Sequence, residues 1–181
     1  MGRFMNHKKW VVALALIATA LILTHLPVSE ADAAASASDF QIEGSTLTKY
    51  RGSDERVTIP DTVEVVGESA FENNQKVQFV VVPKSVKRMD AYVFWGCDNL
   101  EEVVLGKGLT SVDEYAFSGC TGLKQITIPE NIQSIDAQAF AGCTNLTDIY
   151  IPDTVTSIAD DAFLNLSLIH ISEPTRLALI S

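Results

Sequence analysis

ITIPENIQSIDAQAFAGCTNLTD, residues 126–148, is one unit of a repeat. Its Phe140 lies twenty-three residues after Phe117, which follows Phe94 and Phe71 at the same interval, and Phe163 stands twenty-three residues further on. Pro60, Pro83, Pro129 and Pro152 share one phase, with Gly106 in the missing slot. Val63, Val86, Leu109, Ile132 and Val155 share a second phase, and Val66, Met89, Val112, Ile135 and Ile158 a third. Cys97, Cys120 and Cys143 share a fourth. Chemistry that repeats in register without insertion points to a stack of like units.

The length of the period limits what each unit can be. Twenty-three residues are too few for two packed helices, whose repeats run to about 33 or more. They suit one turn of a solenoid, with a short strand and a compact return. Ile126 and Ile128 alternate with Gln125 and Thr127, as in a strand with one buried face. Pro129 ends that strand because it has no amide hydrogen to give. Ile132 and Ile135 then bring the chain back, Ala139 and Phe140 occupy the far side, and Cys143 and Leu146 close the coil. One unit alone cannot bury these groups, whereas stacked units cover one another.

The pattern I-x-I-P-x-x-V-x-x-I-x-x-x-A-F-x-x-C-x-x-L resembles the BspA-like class of bacterial leucine-rich repeats. It runs from Val57 to about Asn165, as five copies beginning VTIP, VVVP, VVLG, ITIP and IYIP. The first copy departs at Asn74 and Val77, in the Cys and Leu slots, and the third lacks the proline. The fold expected is an α/β leucine-rich repeat solenoid. The resemblance implies a right-handed superhelix of short parallel strands with mostly irregular or short helical returns. It also implies adhesion, to host matrix protein, glycan or another microbe.

The flanks read differently. Residues 1–37 have the order of a secretory signal peptide: Arg3, Lys8 and Lys9, then the apolar run Trp10 to Leu23, then small-x-small sites ending at Ala33 and Ala37. The apolar run is short for a bilayer span, which needs about 20 residues, and an uncleaved anchor is the alternative. Contact with membrane is expected only through this segment, during export, and the expected location is secreted or cell-surface. Residues 38–56 alternate at Phe40 and Ile42, turn at Gly44-Ser45, and alternate again at Leu47 and Tyr50. This reads as an N-terminal β-hairpin cap with a loop longer than two residues. At residues 166–181 the repeat breaks, with Leu166 in the Cys slot. LSLIHISEPTR, Leu166 to Arg176, resembles the translation of a transposase-type sequencing adapter and is expected not to be native. The other reading is an apolar C-terminal cap.

Several functions are disfavoured by composition. Residues 38–165 hold 9 Lys+Arg against 20 Asp+Glu, a net charge of −11. No basic stripe is present to neutralise phosphates, so nucleic acid is not an expected partner. His7 and His25 lie in the leader and His170 in the aberrant tail, so the repeats have no histidine for a Ser-His-Asp or Cys-His nucleophile or a His-ligated metal. Neighbouring acids such as Asp160-Asp161 or Glu101-Glu102 read as solvated charge rather than acid–base machinery. Asp98, Glu101 and Glu102 could meet calcium but lack an EF-hand pattern. Asn145-Leu-Thr147 matches a glycosylation acceptor. No enzyme activity, cofactor or metal is expected.

The three cysteines should stack one coil apart, roughly 4.8 Å at strand spacing. That separation permits a disulfide, but side chains at equivalent positions point the same way, which opposes the dihedral a disulfide needs. Buried free thiols are the expectation.

What remains is the strand face turned away from the core, expected to be concave. Two rows should point there. One is Arg56, Phe79, Glu102, Gln125 and Asp148, and the other is Thr58, Val81, Val104, Thr127 and Tyr150. Phe79, Val81 and Val104 form an apolar cluster with charge at its margin, a composition common at binding surfaces, although β-branched residues also simply favour strands. The candidate binding residues are Phe79, Val81, Glu102, Val104, Gln125, Thr127, Asp148 and Tyr150. The expected function is an exported binding module for a protein or glycan ligand. The alternatives are a targeting fragment of a larger surface enzyme, or a structural spacer.

Overall fold

A computed structural model describes residues 35–166 and the backbone of His170–Ser172. Residues 1–34 of the leader read as a signal peptide, and most of the tail read as foreign to the repeat, lie outside the described residues.

After a 3-10 turn at Ala37–Asp39, β1 (Phe40–Glu43) and β2 (Thr46–Tyr50) form an antiparallel hairpin. Glu43 pairs with Thr46, so the loop is only Gly44-Ser45. That is shorter than the sequence suggested, because Gly44 takes φ 63° and permits a tight turn. The register shift that a longer loop would have absorbed lies instead between Gln41 and Ile42.

Each coil then gives a three-residue and a two-residue strand. In chain order these are β3 (Arg56–Thr58) and β4 (Val65–Val66), β5 (Phe79–Val81) and β6 (Arg88–Met89), β7 (Glu102–Val104) and β8 (Ser111–Val112), β9 (Gln125–Thr127) and β10 (Ser134–Ile135), and β11 (Asp148–Tyr150) and β12 (Ser157–Ile158). The backbone of β13 (His170–Ser172) runs parallel to β11. The longer strands β3, β5, β7 and β9 form one parallel sheet, in which Val57, Val80, Val103 and Ile126 are successive register partners. The shorter strands form a second wall in two parallel hydrogen-bonded parts, β4 with β6 and β8 with β10 and β12, and β2 of the hairpin pairs with β4 at the N-terminal end.

The result is a leucine-rich-repeat β-solenoid of about five turns with almost no helix. The α/β label does not hold, since the described returns carry turns and two-residue strands. The physical reason is visible in the backbone. Each return includes residues in the left-handed region, which an α-helix cannot contain. Ser69, Tyr92, Tyr115 and Gln138 form one such row at φ 52–61°, and Asn73, Gly96, Gly119, Gly142 and Asn165 another at φ 56–74°. Between them the amides of Phe71, Phe94, Phe117 and Phe140 donate to Val93, Ala116, Ala139 and Ala162 of the next coil, at 2.8–2.9 Å. The return side is therefore a third hydrogen-bonded wall, although it is not extended strand.

The core is a set of single-residue ladders. Phe71, Phe94, Phe117 and Phe140 are fully buried, and Phe163 is partly buried. Successive ring centroids lie 4.9, 5.3, 5.3 and 5.4 Å apart. The ladder continues backward into the hairpin, where Tyr50 stacks on Phe71 at 5.0 Å and Phe40 tilts against Tyr50 at 5.1 Å. All three cysteines are free and buried. Their thiols donate to backbone carbonyls of the preceding coil: Cys97 to Phe71, Cys120 to Phe94 and Cys143 to Phe117, at 3.1, 3.0 and 3.1 Å. Desolvation pushes the thiols of Cys97 and Cys143 up to about 12, and that of Cys120 in the same direction. The first coil has Asn74 in this slot, whose Oδ1 accepts from the amides of Lys76 and Val77.

Candidate binding face

In every longer strand the central residue is buried and its two neighbours point outward. This follows from the period of two along a strand, and the parallel register then lines the outward residues up coil by coil. Arg56, Phe79, Glu102 and Gln125 are register partners in one row, and Thr58, Val81, Val104 and Thr127 in the other. Asp148 and Tyr150 hold the corresponding positions on β11, which packs beside β9. The eight candidate residues thus share one outward face.

Their exposure differs from a plain apolar patch. Phe79, Val81, Glu102 and Val104 are half-buried, whereas Gln125, Thr127, Asp148 and Tyr150 are exposed. Phe79 is partly covered because the guanidinium of Arg56 lies over its ring, 4.3 Å from the centroid. A cation held against a ring face is attracted by the ring quadrupole, so Arg56 both shields the ring and carries charge at the edge of the face. Val81 and Val104 meet across the β5–β7 ladder. Tyr150, at 53% exposure, is the large apolar side chain most open to solvent on this face.

A groove not anticipated from the sequence borders the same strands. It holds about 490 Å³ and is lined by Gln78, Asp98, Glu101, Thr121, Lys124 and Asn145, among others. Two contacts brace its wall: Lys124 Nζ pairs with Glu101 Oε1 at 2.7 Å, and Thr121 Oγ1 donates to Asp98 Oδ1 at 3.3 Å. The signal was present in the in-phase polar positions Gln78, Glu101 and Lys124, each immediately before a strand. Polar residues at strand entries are common enough that the pattern does not by itself indicate a concavity.

The other polar candidates do not gather into chemistry. Among the described residues no group of three or more His, Cys, Asp or Glu is placed to hold a metal ion. Asp98, Glu101 and Glu102 therefore form no cage, and Glu101 is engaged by Lys124. Asn145 and Thr147 are exposed, and Thr147 Oγ1 donates to Asp148 Oδ2 at 3.0 Å. Among the described residues no helix is long and apolar enough to cross a membrane.

Comparison with known proteins agrees with this geometry. The model of the BspA type leucine rich repeat region matches residues 45–170 in six copies. No curated protein matches the chain. Among solved structures, a leucine-rich repeat protein of T. pallidum is 28% identical with a TM-score of 0.69, over 73% of this chain and 67% of that one. A leucine-rich repeat protein of Bacteroides ovatus is 29% identical with a TM-score of 0.60, over 72% of this chain but only 36% of its own length. One from Eubacterium ventriosum, at 19% identity and a TM-score of 0.57, shares the fold, over 75% of this chain and 49% of that one. With most of its length matched, in register, by that repeat model, the chain belongs to the BspA-type leucine-rich repeat family.

Proposed function

We propose that this protein is an exported binding module, working outside the cell or on its surface, whose outward strand face meets a protein or glycan ligand. One observation supports the reading above the others. The face combines the half-buried Phe79, Val81 and Val104 with a charged margin of Arg56, Glu102 and Asp148 and the open ring of Tyr150. Aromatic and Arg side chains that the core does not need are typical anchors of recognition surfaces. Family membership supports a repeat-protein role rather than catalysis. The β1–β2 hairpin acts as the cap that closes the N-terminal end of the stack, and the coil has the right-handed sense that parallel crossovers favour.

The test is a double substitution, Phe79→Ser with Val104→Ser. Both side chains face outward, so the far-ultraviolet spectrum should stay unchanged. Binding to whichever immobilised matrix protein or arrayed glycan the wild type retains should be lost. A folded double variant that binds as well as the wild type contradicts this reading.

A further inference from the structure

The groove beside the longer strands has a lining of one chemical kind. Every residue that lines it is polar, charged or glycine, with no aromatic or aliphatic residue among them. It follows the stack. Asp98, Thr121 and Thr144 share one repeat position in three successive coils, and Gln78, Glu101 and Lys124 share another. Between these rows stand Asn99, Gly122 and Asn145, again at one repeat position. Asn99 Nδ2 donates to the carbonyl oxygen of Gln75, in the preceding coil, at 2.7 Å. Gly122 has no side chain to repeat that contact, and any Cβ there would collide with the carbonyl oxygen of Asp98. That carbonyl accepts no hydrogen bond among the described residues. The side-chain amides of Gln78 and Asn145 are also unengaged among the described residues, and both residues are exposed. The middle coil therefore leaves a gap between two asparagines, with a backbone acceptor against it.

The mixture of groups decides among ligands. A hard metal ion calls for oxygen acceptors alone, and here amide and ammonium donors stand among them. A phosphate calls for donors, and the carboxylates of Asp98 and Glu101 would repel it. A docked protein is held by aromatic and Arg anchors in desolvated pockets, and this lining offers neither the anchors nor an apolar pocket for them. A sugar hydroxyl both donates and accepts, which matches a lining that does both. We propose that the groove binds a short neutral oligosaccharide laid along the stack. The lining groups recur coil by coil at roughly 4.8 Å, close to the length of one pyranose ring, so successive rings meet successive coils. One ring sits in the gap at Gly122, against the Asp98 carbonyl and between Asn99 and Asn145. The volume of about 490 Å³ falls within the roughly 300–1,000 Å³ of small-ligand sites. No residue of the groove belongs to the eight candidates on the strand face, so this site is separate from the one proposed above. An open groove that buries no apolar surface gives weak affinity, and its test must read weak binding directly.

The full chain, labelled for amide nuclear magnetic resonance, should be titrated with neutral β-linked tetrasaccharides of glucose, galactose, mannose and N-acetylglucosamine, and separately with inorganic phosphate. At least one tetrasaccharide should shift the amides of Thr121, Gly122 and Asn145 in a saturable way, and phosphate should leave them in place. Gln78→Ala with Asn145→Ala removes the two unengaged amides and should weaken the response by about tenfold or more. The rest of its spectrum should overlay the wild type, because both side chains are exposed and make no contact the fold needs. Lys84→Ala, exposed on a turn beyond the strands, should respond as the wild type does. No shift with any of the four tetrasaccharides, an undiminished response in the folded double variant, or phosphate shifting the same amides as strongly would each overturn the proposal.

Discussion

The thiol of Cys120 donates a hydrogen bond to the carbonyl oxygen of Phe94, 3.0 Å away in the preceding coil. That carbonyl also accepts the amide of Cys97 in its own coil, at 3.1 Å. The cysteine therefore fills the second lone pair of a buried acceptor and ties two coils together, while its sulfur packs as a small apolar group. The pattern G-C that ends the three middle returns, at Gly96-Cys97, Gly119-Cys120 and Gly142-Cys143, has a corresponding division of labour, in which glycine makes the turn and cysteine satisfies the carbonyl.

Burial of these thiols leads to an alkaline sensitivity. Cys97 and Cys143 are pushed from 9.0 to about 12 by desolvation. The folded state therefore keeps its protons where the unfolded chain would release them. The stabilisation is fully present below pH 9.0 and is lost as pH rises toward about 12. Each thiol contributes a slope of about 1.4 kcal/mol per pH unit across that window. Denaturant melts at stepped alkaline pH should show the loss, and a Cys97→Ala variant should show a shallower slope. Under native conditions near neutral pH a thiol reagent should label none of the three, and all three on unfolding.

The phenylalanine ladder supplies the largest fully buried side chains of the core. Phe117 is fully buried between Phe94 and Phe140, with ring centroids 5.3 Å away on both sides. Phe117→Ala should cost about 3–5 kcal/mol. Because each coil touches only its neighbours, the transition should also broaden as the stack frays around the gap. Equilibrium unfolding in denaturant measures both effects, and a loss under about 1 kcal/mol would mean the ring does not support the core.

The left-handed rows make a separate prediction. At Gly119, φ is 74°, and an added Cβ would meet only Gly96, at 3.6 Å. Space is therefore adequate, and only backbone conformation opposes a side chain. Gly119→Ala should destabilise by about 1–2 kcal/mol. Gly119→Asn should cost less, because asparagine tolerates this region and Asn73 and Asn165 already occupy the same position at φ 56° and 62°. Thermal melts of the two variants should rank in that order.

These rows also mark where the sequence was hard to read. The strands, the phenylalanine ladder and the outward face were legible because each depends on burial alternating along a strict period, which apolar letters display directly. The left-handed row at Tyr92, Tyr115 and Gln138 was not, since those residue types carry no signature of positive φ. Instead Tyr92 and Tyr115 stack, with ring centroids 4.8 Å apart, in a conformation set by the coils around them. Tyr50 was missed as a ladder member because it precedes Phe71 by 21 residues rather than a full period, and the hairpin supplies the offset. The groove beside Lys124 was hidden for a different reason: it depends on how three coils are spaced at their turns, which no single coil encodes.

Removing one whole coil tests the stacked-repeat account most directly. Deleting Val104 to Ile126 takes out one twenty-three-residue period and joins Val103 to Thr127. Every later residue keeps its face, so the shortened chain should still show the β-rich far-ultraviolet spectrum and unfold cooperatively at a lower midpoint. Deleting one residue fewer, Val104 to Gln125, joins Val103 to Ile126 instead, and a slip of one residue turns a strand's buried set outward. That variant should lose cooperative unfolding. If both deletions fold equally well, or if neither does, the claim that a strict register of interchangeable coils builds this protein is contradicted.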